Sequence, residues 1–279
     1  MTKAQLIQNI KTKKTMLCVG LDVDMDKIPQ HLLQTEDPIF EFNKAIIDAT
    51  HPYCVAYKPN TAFYECYGSK GFASLEKTVN YIKTTYPNQF VIIDAKRGDI
   101  GNTATMYAKA YLQNMPGDAI TVAPYMGEDS VKPFMQLPNK WAVVLGLTSN
   151  TGAQDFQKLP LPKFNAQGKI EVELLCEVLM RKVATWGTTE NTMFVVGATQ
   201  GVLIKAIRQT IPNHFLLIPG VGAQGGNLQE VIQNGSIPNE YGLLINSSRS
   251  IIYASNGADY AQAAGIEAQK LQQEMSVYI

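Results

Sequence analysis

Short apolar runs alternate with helical patterns from one end of this chain to the other, and that alternation limits the possible folds more than any other feature. Strand candidates begin near Met16, Tyr53, Phe90, Asp118, Trp141, Thr192, Phe215 and Tyr241. A strand that is followed by a helix and then by another strand belongs to a parallel sheet, because parallel neighbours are joined by a crossover. Most of these runs are aliphatic or β-branched on both faces, as strands are when helices cover them outside and side chains fill the space inside. About eight such units predict a (β/α)8 TIM barrel, one domain over residues 1–279. A hydrophobic content of 46% suffices for one large core at this length.

The segments between the strands carry the helical period. Phe72, Leu75, Val79, Ile82 and Tyr86 recur at three- and four-residue steps, as do Ile100, Ala104, Tyr107, Ala108 and Tyr111, which predicts core-facing stripes of crossover helices. Pro87-Asn88, Met115-Pro116-Gly117 and Ile211-Pro212-Asn213 close three helices where proline cannot continue them. The stretch Ser149 to Gly168, with Pro160 and Pro162, has little periodicity. It is expected to be a long irregular loop after the fifth strand, in the position of a lid.

Lysine plus arginine equal aspartate plus glutamate at 24 each, so no global field recruits nucleic acid or an anionic membrane. Any phosphate must be held by local geometry. Cys18, Cys54, Cys66 and Cys176 lie far apart with no ligand-like spacing, which argues against a disulfide framework or a zinc site and for buried free thiols. The apolar run Met16 to Leu21 is too short for a signal peptide and ends at Asp22. No stretch is long enough to span a bilayer, so a cytoplasmic protein is expected.

The run Phe90-Val91-Ile92-Ile93-Asp94-Ala95-Lys96-Arg97-Gly98-Asp99-Ile100 carries the chemistry. Side chains alternate along a strand, so Ile92, Asp94 and Lys96 share one face and Val91, Ile93 and Ala95 the other. If the second set meets the helices, a carboxylate and an ammonium point into the barrel at the carboxyl end of the strand, where this fold places active sites. The plain structural alternative is an Asp94–Lys96 ion pair at the strand exit with Asp99 capping the next helix. A lysine between carboxylates stays protonated. It is then a poor Schiff-base nucleophile but a good fixed cation and proton donor. Decarboxylation without a cofactor leaves a carbanion, which such an ammonium can stabilise and then protonate.

Two further segments look like phosphate grippers. The seventh strand leads into Ile218-Pro219-Gly220-Val221-Gly222-Ala223-Gln224-Gly225-Gly226 and the eighth into Ile245-Asn246-Ser247-Ser248-Arg249. Barrels commonly bind phosphate after these two strands, with glycines admitting backbone N–H groups and an arginine supplying a bidentate charge. Gly220, Gly222 and Gly225 spell a dinucleotide-type motif, but that motif belongs to the first βα unit of an open sheet.

With these residues in place, the chain resembles the orotidine 5'-phosphate decarboxylases, whose Asp-x-Lys-x-x-Asp-Ile signature is present as Asp94 to Ile100. The resemblance spans nearly the whole barrel. It implies conversion of orotidine 5'-phosphate to UMP, the last step of de novo pyrimidine nucleotide biosynthesis, with no cofactor and no metal. Leu21-Asp22 and Lys58-Pro59-Asn60 resemble the family's ribose-side contacts, and Lys58 would join an array Lys–Asp–Lys–Asp with Asp94, Lys96 and Asp99. The resemblance makes Lys96 the proton donor and sets Asp94 beside the leaving carboxylate. It sends Asp99, Ile100 and Thr103 into the site of a second subunit, which implies a homodimer with shared active sites. Ser149 matches the serine that reads the pyrimidine, and Gln224 and Arg249 match phosphate ligands, alongside Pro219 and Ser248 in the same segments. Thr151 and Ala123 depart from residues common among relatives. His31, His51 and His214 are read as structural or surface residues.

Two rivals remain open at this stage. One is a magnesium-dependent sugar-phosphate decarboxylase or aldolase with the same acidic cluster, in which the carboxylates hold the ion around an enediolate. The other is a non-catalytic barrel that grips a phosphate sugar.

Overall fold

The computed structural model describes residues 1–164, 167–198, 201–221 and 226–279, with residues 201 and 202 described in their backbone alone. The strands are β1 Leu17–Gly20, β2 Ala56–Lys58, β3 Phe90–Arg97, β4 Ala119–Val122, β5 Trp141–Leu147, β6 Pro160–Phe164, β7 Ile170–Leu174, β8 Thr192–Val196, β9 Phe215–Pro219 and β10 Leu243–Ser247. Eight of them close into a barrel in the order β1-β10-β9-β8-β5-β4-β3-β2, and β6 pairs only with β7. Every pairing within the barrel is parallel. The expected (β/α)8 architecture is therefore the observed one.

Alternation sorts the barrel side chains into layers. The first residues of β3, β5 and β9 meet across the interior: the Trp141 ring sits edge-on to Phe90 at 6.0 Å and to Phe215 at 6.2 Å. These three aromatics are fully buried and plug the floor, each removing a large apolar area from water. Four residues further along the same strands, Asp94, Leu145 and Pro219 line a cavity at the opposite end. The helical stripes behave as expected at Leu75, Val79 and Ile82 and at Ala104, Ala108 and Tyr111, all buried. Phe72 and Ile100, the first residues of the two stripes, are exposed instead.

Three local expectations need correction. The second strand starts at Ala56 because His51–Tyr53 makes a 3-10 turn first. The last starts at Leu243 because Tyr241 and Gly242 both take positive φ, 62° and 67°, so the chain cannot yet extend. The segment 149–168 is not wholly irregular, since β6 and β7 form an antiparallel hairpin. Prolines 160 and 162 hid it, but in a two-stranded ribbon each strand has a free edge where a missing N–H costs nothing. One face of the ribbon carries Pro160, Pro162 and Phe164 opposite Leu174, Val172 and Ile170. Among the cysteines, Cys18, Cys54 and Cys176 are buried as expected, whereas Cys66 is exposed.

Candidate active site

A cavity of about 510 Å³ opens at the carboxyl ends of the barrel strands. Its wall divides by chemistry. β5, β8 and β9 contribute Leu145, Val195 and Leu217, whereas the β2, β3 and β4 side contributes Lys58, Asp94 and Thr121.

Asp94 is the centre of the polar half. Lys58 Nζ lies 2.9 Å from its Oδ2, while Lys96 Nζ lies 2.7 Å from its Oδ1. Thr121 Oγ1 donates to the same Oδ1 at 2.9 Å. Burial alone would raise the Asp94 carboxyl, but the charges of Lys58 and Lys96 outweigh it and hold the group well below the usual carboxylate range. Burial would lower the Lys58 ammonium, and Asp22 and Asp94 reverse this, lifting it above its ordinary value. Asp22 Oδ1 stands 3.8 Å from Lys58 Nζ. The result is a chain of alternating charge, Asp22–Lys58–Asp94–Lys96, with both amines ready to act as fixed cations.

Lys96 reaches this position by a different route from simple alternation. Its φ is +47°, and the β3–β4 register shifts between Ile93 and Arg97. A left-handed backbone at a lysine costs of order 1 kcal/mol. It is held by the Lys96 N–H, which donates to Thr121 Oγ1 at 2.8 Å. The lysine side chain is 49% exposed while Asp94 is 9% exposed, so the amine stands at the boundary between buried carboxylate and open cavity.

At the other side of the mouth, Asp22, Ser149, Pro219, Ser248 and Arg249 all line the same cavity. Ser248 Oγ donates to Asp22 Oδ2 at 2.9 Å. Arg249 is exposed at the rim, placed to meet an anion arriving from solvent. Gly220 takes φ +94° as the chain leaves β9, a conformation that favours glycine. Gln224 lies outside the described residues.

Asp99, Ile100 and Thr103 do not line their own chain's cavity. Asp99 Oδ1 accepts from the Ile100 N–H at 2.8 Å, and Ile100 is 59% exposed. Sequence reasoning missed Thr121, Asp24, Lys27, Phe63 and Tyr253, all of which line the cavity. For Thr121 a signal existed: in the run Ala119-Ile120-Thr121-Val122 it is the one polar residue and shares a face with Ala119. Ala123 donates its N–H to the Arg97 carbonyl at 2.8 Å, and Thr151 opens a short 3-10 turn, Thr151–Gln154.

Comparison with known proteins identifies the family. The model of the family described as "Orotidine 5'-phosphate decarboxylase / HUMPS family" matches residues 15–264. A curated orotidine 5'-phosphate decarboxylase of Phocaeicola vulgatus is 56% identical over 275 residues, 99% of this chain and 98% of the relative. One from Flavobacterium johnsoniae is 56% identical over 279 residues, 100% of this chain and 98% of the relative. The solved structure of Leishmania donovani OMP decarboxylase superposes with a TM-score of 0.79 at 34% identity, covering 98% of this chain and 100% of that one. The chain belongs to the orotidine 5'-phosphate decarboxylase / HUMPS family.

Proposed function

We propose that this protein is a carbon–carbon lyase that decarboxylates orotidine 5'-phosphate to UMP, the last step of de novo pyrimidine nucleotide biosynthesis. The observation that carries the chemistry is the gripping of one buried carboxylate, Asp94, by two ammonium groups at 2.7 and 2.9 Å. In this reading the substrate carboxylate lies beside Asp94. Its carbon–carbon bond breaks, carbon dioxide leaves, and the electron pair stays on C6 of the ring. The Lys96 ammonium stabilises that charge and transfers its proton to C6, giving UMP. Half exposed, the neutral amine recovers its proton from water. Ser149 faces the pyrimidine from the end of the fifth strand, Asp22 and Lys58 take the ribose side, and Pro219, Gln224, Ser248 and Arg249 take the phosphate. Binding energy from the phosphate is thereby available at the distant reacting carbon.

The magnesium-dependent rival is disfavoured by the names of the curated relatives at 56% identity. Asp94, the carboxylate it would use, has both oxygens engaged by amines. Among the described residues no group of three or more His, Cys, Asp or Glu side chains could hold a metal ion. The placement of Asp99, Ile100 and Thr103 outside their own cavity, with Ile100 exposed, supports a homodimer in which these residues complete the partner's site. No described helix is long and apolar enough to cross a membrane, and the equal numbers of acidic and basic side chains, 24 each, offer no global field to nucleic acid; the proposed setting is the cytoplasm and the proposed ligand a small nucleotide.

Spectrophotometric assay of purified protein with orotidylate in excess EDTA tests the reading. Turnover that survives chelation is the expected result. A strict magnesium requirement would favour the sugar-phosphate rival, and UMP binding without turnover the non-catalytic one.

A further inference from the structure

Lys96 stands on a bulge of β3. From the Ile93–Ile120 pair to the Arg97–Val122 pair, β3 advances four residues while β4 advances two. A strand rises about 3.3 Å per residue, so roughly 7 Å of extra chain is gathered at this point. The left-handed backbone of Lys96, φ +47°, takes up that slack and keeps the residue back near the depth of Asp94, whose Oδ1 its Nζ reaches at 2.7 Å. A straightened strand would carry the amine outward through the mouth. The half-exposed lysine side chain does not fix the backbone beneath it, and a positive φ at a residue other than glycine persists only where the surroundings over-determine it.

Two of the ties come from β4 and the residue after it. Thr121 Oγ1 accepts from the Lys96 N–H at 2.8 Å, and the Ala123 N–H donates to the Arg97 carbonyl at 2.8 Å. The third comes from the Arg97 side chain, which does not line the cavity and runs instead to the helices. Its Nη1 donates to the Ala95 carbonyl at 2.9 Å, so the guanidinium bridges the residues on either side of Lys96. Its Nη2 pairs with Glu65 and donates to Tyr111 Oη at 3.0 Å, and the rings of Tyr107 and Tyr111 lie 5.4 and 5.5 Å from its Cζ. Glu65 ends the short helix Ala62–Glu65 that follows β2, and Tyr111 belongs to the helical segment Lys109–Asn114 that precedes β4. The brace is therefore anchored on both sides of β3. A planar guanidinium makes these bonds in one fixed geometry, whereas a lysine would offer a single nitrogen on a flexible stem.

We infer that Arg97 is a positioning residue for Lys96: clamped between Glu65 and Tyr111, it holds the Ala95 carbonyl and so fixes the left-handed step that aims the Lys96 ammonium at the ring carbon that loses carbon dioxide. Arg97 acts through the backbone and touches no substrate. This rests on the reading of Lys96 as the proton donor, but the aim of the amine is measurable without turnover.

The test uses two ligands, UMP and a UMP analogue with an ionised oxygen at C6, where negative charge develops in the reaction. An ammonium aimed at C6 binds the second more tightly. Arg97→Met keeps an apolar stem and removes the fork. It should lower kcat for orotidylate about 100-fold and the affinity for the C6-oxyanion analogue by a similar factor, with UMP affinity within about threefold of wild type. Arg97→Lys, which retains the charge, should resemble Arg97→Met. Tyr111→Phe, which removes one tie, should move kcat and analogue affinity about fivefold, and it carries the test if the arginine variants do not fold. Unchanged kcat and analogue affinity, equal weakening of both ligands, full activity in Arg97→Lys, or a wild type indifferent to the oxygen at C6 would overturn the inference. A wild type that prefers the analogue without turning over orotidylate, and loses that preference in the variants, keeps this inference and loses the proposed reaction.

Discussion

The hydroxyl of Ser248 donates to Asp22 Oδ2 at 2.9 Å across 226 residues of sequence, so the residue that precedes Arg249 at the rim of the mouth holds the carboxylate that faces Lys58. The strands bearing them are neighbours in the closed barrel. They pack so closely that a Cβ at Gly20 would stand 2.6 Å from Ser248 Cβ. The residues proposed to take the phosphate and the ribose are thus joined by a hydrogen bond between the ends of two adjacent strands.

Ser248→Ala should weaken UMP binding about five- to tenfold, the worth of one hydrogen bond to a charged group. Calorimetry with UMP checks it. An unchanged affinity would show that Lys58 alone orients Asp22.

Lys96→Ala should lower kcat by at least ~10³-fold with UMP affinity within about tenfold of wild type, because the amine acts on charge that develops only in the transition state. Steady-state rates paired with UMP titration separate the two effects. Near-normal turnover would remove the proposed acid.

Lys58→Met should harm stability as well as rate. It leaves Asp94 buried with half its compensation, and breaking a buried pair from one side costs about 3–5 kcal/mol. Urea unfolding at neutral pH measures this, and the loss should shrink when Asp94→Asn is added. No loss in the single variant would mean that Lys96 and Thr121 suffice to hold the carboxylate.

Acid sensitivity should depend on His214. Burial, then the charges of Arg208 and Lys3, push its imidazole down to about 4, and neither ring nitrogen has a hydrogen-bond partner. Arg208 beside it donates to the carbonyls of Gly235, Ile211, His214 and Gly242. The unfolded chain takes up the histidine proton near the ordinary value of ~6.5, whereas the folded chain resists until about 4. Stability from this group is therefore complete above ~6.5 and is lost as pH falls toward 4. Urea midpoints should decline through that window in wild type and decline less in His214→Gln. Parallel curves would clear the histidine. Asp94 acts lower down: its depressed carboxyl contributes above the ordinary carboxylate value and is lost only at more acidic pH.

Ile100→Glu should yield a smaller species in size-exclusion chromatography and a loss of turnover, if this exposed residue sits at a subunit interface that completes the site. Retention of both size and activity would leave the cavity self-sufficient.

Periodicity made the barrel legible because each strand and crossover helix writes its own spacing into a few residues. Phe90, Trp141, Thr192 and Phe215 begin strands where the patterns placed them. What local pattern missed had causes that local pattern does not contain. The left-handed step at Lys96 is stabilised by Thr121, a residue of the neighbouring strand. The hairpin after β5 was concealed by prolines that a ribbon with two free edges tolerates. Thr121 looks ordinary until the barrel closes and turns it inward.

By itself, then, the order of residues determined the class of fold and the charged run at the end of the third strand, and it offered the segments after the seventh and eighth as candidates to hold an anion, because hydrophobic spacing and side-chain chemistry are properties of neighbours in sequence. Tertiary structure decided which charges meet. Asp22, Lys58, Asp94 and Lys96 come from three separate strand ends, and only closure of the barrel, which buries Lys58 and Asp94 and sets successive members 2.7–3.8 Å apart, joins them into one array of alternating charge.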